Sequence, residues 1–83
     1  MPVIFEFLGI IIVIYFDDHA PPHIHVKYQE HRATILIKTG EIESGCLPPR
    51  VQRLVKKWLP KNKQSVQEQW DRMEKGDQIK RIL

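Results

Sequence analysis

Cysteine is almost missing from the 83-residue chain, which has only Cys46. One thiol excludes an intrachain disulfide and a cysteine-rich zinc module, and it suits a reducing interior such as the bacterial cytoplasm. Long apolar runs are missing too, since the stretch Val3 to Phe16 is broken by Glu6 and Gly9. It is too short for a membrane-spanning helix and has no basic flank before it, so a cytoplasmic protein with no membrane or secretory segment is expected. There is no repeat, low-complexity tract or linker, and the length supports one hydrophobic core, so residues 1–83 are expected to form a single domain. An apolar content of 42% with 28% charged residues excludes a disordered tail.

What charge there is lies unevenly. The net +3 combines a first part, residues 1–40, with three Lys/Arg against four Asp/Glu, and a second, residues 41–83, with ten against six. Arg50, Arg53, Lys56, Lys57, Lys61 and Lys63 follow one another with no acid among them. Such a run is either a solvated helix face or a surface for an anionic partner such as RNA.

The hydrophobic pattern changes period near Leu47. Before it, "VIFEFL", the β-branched "IIIVIYF", the alternating "HIHVKY" and "ATILIK" read as strands. Gly9 is a hairpin turn or a bulge, "QEHR" with His31 a turn, and "EIE" a short edge strand between turn signals at Thr39-Gly40 and Ser44-Gly45. After it, Val51, Leu54, Val55, Trp58 and Leu59 recur at helical spacing behind Pro48 and Pro49. Pro60 is expected to end this helix, and Asn62 to cap a second one with the stripe Val66, Trp70 and Met73 and a stop at Gly76. The tail "QIKRIL" returns as an edge strand or docks on the core. Strands first and helices second predict an α+β domain: a small antiparallel sheet of three to five strands followed by two helices packed on one face. Trp58 and Trp70 are expected in the core, and Cys46 as a small packing residue.

The chemistry concentrates in "YFDDHAPPHIHV", residues 15–26. Strand alternation puts His23 and His25 on one face, away from Ile24 and Val26, while Pro21 and Pro22 stiffen the approach of His19. Asp17 and Asp18 are near enough in sequence to orient an imidazole through its second nitrogen. Such a group fits acid/base chemistry on a phosphodiester, with Lys27 or Arg32 steadying the charge and no metal required. It also fits a three-histidine metal site, zinc by default, or a cluster of donors that binds an anion or partner without turnover. The plain alternative is a turn that happens to be rich in histidine.

The series "GIIIVIYFDDHAPPHIHVKY", "GEIESGCLPPR", "LVKKWL" and "QEQW" resembles domain-of-unknown-function family 4160, a family of small bacterial proteins, over essentially the whole chain. "DHAPPHIHV" is its most specific part, joined by Gly45, Cys46, Leu47 and Pro48 and by the tryptophan pair Trp58 and Trp70. The resemblance implies a small partner protein of family 2442 encoded nearby, and a toxin-antitoxin pair. It implies no substrate. The expectation is therefore a toxin-like, metal-independent RNase without cofactor, in which Asp18, His19, His23 and His25 act on RNA held by Arg50, Arg53, Lys56 and Lys57. A protein- or nucleic-acid-binding module without turnover is the alternative, and a histidine metal site the third.

Overall fold

The computed structural model describes residues 3 to 82. Five strands come first: β1 (Val3–Phe7), β2 (Ile10–Val13), β3 (His23–Tyr28), β4 (His31–Leu36) and β5 (Ile42–Cys46). They form one antiparallel sheet in sequence order, since consecutive strands tend to be neighbours in space. Leu8 and Gly9 both take positive φ, at 51° and 79°, the geometry of a two-residue hairpin turn that matches strand twist, so Gly9 is a turn residue. Gln29 and Glu30 close the next hairpin, and the pairing of Tyr28 with His31 places His31 inside β4 rather than in the turn expected for it.

β5 is longer than "EIE" implied. Ser44 and Gly45 lie within it: Gly45 pairs with Ala33 while holding φ of 79°, and the ladder is irregular only further along, between the Thr34–Ser44 and Ile35–Ile42 pairs. A Cβ at Gly45 would collide with the Arg32 carbonyl oxygen and lie 2.9 Å from the Ala33 Cα.

The expected pair of helices is a single helix, α1 (Pro49–Lys75), running through Pro60. Proline removes one helical N–H, but the buried stripe of Val51, Val55, Trp58, Leu59, Val66, Trp70 and Met73 continues in phase across it. Packing along that whole stripe outweighs one lost bond of roughly 3 kcal/mol. Pro60 itself is exposed, and Asn62 donates its side-chain amide to the Trp58 carbonyl at 2.9 Å instead of capping a new helix. The stop at Gly76 is as expected: left-handed, with its N–H on the last turn's carbonyls.

α1 covers one face of the sheet. Ile10, Ile12, Ile24, Val26, Ala33 and Ile35 meet Val51, Val55, Leu59, Val66 and Trp70 in one core, and Phe5 and Phe7 lie against Trp58. The tail docks rather than forming a strand: Ile79 is buried and the Ile82 N–H donates to the Ile4 carbonyl at 2.7 Å. Leu83, the last residue of that tail, lies outside the described residues. Cys46 is exposed in β5 rather than packed, because its register with Arg32 sends it to the face that α1 does not cover. Among the described residues no helix is long and apolar enough to cross a membrane.

Candidate functional site

The site grows out of the connection between β2 and β3. Tyr15 and Asp18 close a turn in both directions, the Asp18 N–H donating to the Tyr15 carbonyl at 3.2 Å and the Tyr15 N–H to Asp18 Oδ2 at 2.9 Å. That turn fixes the Asp18 carboxylate, whose side chain is 10% exposed, above the start of β3. The Ala20–Pro21 peptide is cis, and the Pro22 carbonyl accepts the Ile37 N–H at 3.1 Å, tying the end of the connection to the sheet.

Two imidazoles meet the carboxylate. His25 donates its Nε2–H to Asp18, at 3.0 Å from Oδ1 and 3.1 Å from Oδ2. In neutral His25 this leaves the lone pair on Nδ1. His23 Nδ1 lies 2.7 Å from the Pro21 carbonyl, which can only accept, so Nδ1 carries a proton. Its Nε2 then faces Asp18 Oδ1 at 3.5 Å. The two imidazole rings are 5.0 Å apart, with Tyr15 against His25 at 4.7 Å and Trp70 of α1 against His23 at 5.1 Å.

His23 and His25 thus approach one point, as the alternation of β3 implied, and Asp18 completes the group. His19 is exposed and stands outside the converging set of Asp18, His23 and His25, whose donor atoms lie within 4.8 Å of one another. One position decides this: the Tyr15–Asp18 turn aims residue 18 inward and leaves residue 19 outside.

Register brings further groups beside His25. Direct pairing puts His25 opposite Thr34, Lys27 opposite Arg32 and Thr34 opposite Ser44, all on the face away from α1. Together with Tyr15 they line an open cavity of about 230 Å³. Lys27 also lies over the Tyr15 ring, 5.5 Å from its centroid. Sequence reasoning marked Lys27 and Arg32 but missed Tyr15, Thr34, Ser44 and the Pro21 carbonyl. A two-residue turn at Gln29 and Glu30 would have supplied the register that finds Thr34.

Arg50, Arg53, Lys56 and Lys57 are exposed on α1. None of them is among the residues that line the His25 cavity. A second cavity, about 340 Å³, lies between the turn after β4 and the middle of α1, with Lys38, Lys56, Lys63 and Glu41 in its lining.

No curated protein and no solved structure matches the chain. The family described as Domain of unknown function (DUF4160) matches residues 9–71, from the β1–β2 turn through most of α1. The matched span contains the whole Asp18, His23 and His25 group and the register that builds the cavity beside it, and the chain belongs to the DUF4160 family.

Proposed function

We propose that this chain is the toxin-like component of a bacterial two-protein toxin-antitoxin module and cleaves RNA in the cytoplasm by proton transfer, without a metal. The observation that carries this reading is the 3.0 Å bond from His25 to Asp18, beside a cavity that Lys27 and Arg32 also line. With Nε2–H held by Asp18, the His25 Nδ1 takes the proton of a ribose 2'-hydroxyl, which attacks the adjacent phosphorus. Asp18 stabilises the imidazolium that forms, and Lys27 and Arg32 offset the charge growing on the phosphoryl oxygens. The imidazolium then returns that proton to the departing 5'-oxygen, so protons balance and the products are a cyclic phosphate and a free hydroxyl. His23, with its nitrogens facing Pro21 and Asp18, is a positioning residue.

Purified protein is expected to cleave labelled RNA, with the rate falling by about 10²–10⁴ in His25→Ala. Equal rates in the two proteins would end the catalytic reading. Expression without the neighbouring gene is expected to arrest growth, and co-expression of the neighbour to relieve it; unaffected growth would remove the toxin assignment.

A second reading, a binding module without turnover, has support in the four exposed cations of α1, none of which lines the His25 cavity. It predicts RNA or partner binding that persists in His25→Ala and weakens in Arg53→Ala with Lys57→Ala.

A further inference from the structure

We infer that Asp18, His23 and His25 also form a seat for a divalent transition-metal ion of the zinc class, and that occupancy of this seat silences the acid/base site. The silencing rests on the reading of His25 as the base; the seat itself rests on geometry alone.

The donor set comes first. Two imidazole nitrogens and one carboxylate oxygen lie within 4.8 Å of one another, with Asp18 Oδ1 at 3.0 Å from His25 Nε2 and 3.5 Å from His23 Nε2. Tetrahedral zinc with bonds of about 2.0–2.2 Å holds its donors roughly 3.3–3.5 Å apart, so small side-chain rotations complete the seat. Two imidazoles with a carboxylate select a borderline ion over magnesium or calcium, which take oxygen ligands.

The bond from His23 to Pro21 is the second observation. It commits the Nδ1 proton to a backbone carbonyl, the outer-shell contact that fixes the tautomer of a metal-binding histidine and leaves Nε2 as the ligand. The same bond aims the Nε2 lone pair at an anionic oxygen 3.5 Å away. Two electron-rich atoms at that separation repel unless a positive charge lies between them. A divalent ion seated between them supplies that charge. Trp70 lies against His23 and Tyr15 against His25, and all three side chains of the group are largely withdrawn from solvent, which lowers the local screening.

Silencing follows from the His25 tautomer. Metal on Nε2 displaces the proton held there, and the neutral ring carries its one proton on Nδ1 instead. Nδ1 then has no lone pair for a 2'-hydroxyl proton, and Asp18 is no longer free to steady an imidazolium. The ion therefore removes the base and its partner together.

The test is zinc titration of the full chain, stripped by chelator, using calorimetry for stoichiometry and cobalt(II) absorption for the donor set. One zinc per chain is expected, with affinity falling at least about tenfold in His23→Ala and in Asp18→Asn, each confirmed folded by circular dichroism, and unchanged in His19→Ala. RNA cleavage is expected to fall as zinc fills the site and to return with EDTA. No zinc binding, or binding indifferent to both His23→Ala and Asp18→Asn, overturns the seat and leaves the acid/base reading standing. Zinc that binds through these residues and raises cleavage overturns silencing and the metal-independent reading, while the seat survives.

Discussion

Single residues decide whether the cluster forms. Asp17 and Asp18 are adjacent and alike in chemistry, yet Asp17 is exposed and Asp18 accepts from both His25 and the Tyr15 backbone. Asp18→Asn is expected to slow RNA cleavage at least about tenfold and Asp17→Asn to leave it unchanged, measured as initial rates on one labelled substrate. The reverse order would show that the Tyr15–Asp18 turn does not set the base. Gly45 decides geometry of another kind, since a side chain there meets the backbone of β4 and the residue holds positive φ. Gly45→Ala should cost at least about 1 kcal/mol, read as a lower urea midpoint at constant slope. The pairing of His23 with His25 was legible because alternation is local to a strand. The choice of Asp18 over His19 was not, because it depends on a turn closed by hydrogen bonds that no spacing announces.

At the scale of elements, periodic segments read well and their punctuation read poorly. The strands in "HIHVKY" and "ATILIK" and the stripe from Val51 to Met73 follow from burial of alternate or helical positions, which is the force that forms them. Pro60, Ser44-Gly45 and His31 depart from what their local preferences imply, because the helix and strands that contain them are set by longer-range packing. The helix test follows directly. Pro60→Ala restores the missing N–H on an exposed position and is expected to raise stability by about 1–3 kcal/mol, whereas a true helix boundary there would give no gain. Trp70 is fully buried and its indole N–H has no hydrogen-bond partner among the described residues. Trp70→Phe should therefore be far milder than Trp70→Ala, for which a loss of about 3–5 kcal/mol is expected in the same urea titration.

Over the whole molecule, the sheet separates two positive surfaces. Lys27 and Arg32 share a face with His25, while Arg50, Arg53, Lys56 and Lys57 lie on the helix that covers the opposite face. Length and a +3 charge pointed to an anionic partner, but composition carries no direction, so which cations accompany the histidines was not legible until register was known. If RNA is cleaved at His25, Arg32→Ala should lower cleavage and reduce the salt slope of binding by about 0.7 per lost phosphate contact, while Arg53→Ala changes cleavage little. The opposite ranking would place RNA on the helix. The hydrogen bond between Ile82 and Ile4 carries a consequence for handling the protein. It makes the two ends of the described chain neighbours at β1, an outer strand of the sheet opposite β5. Labels placed beside Ile4 and Ile82 therefore report on each other, at this outer strand, rather than on the breadth of the sheet.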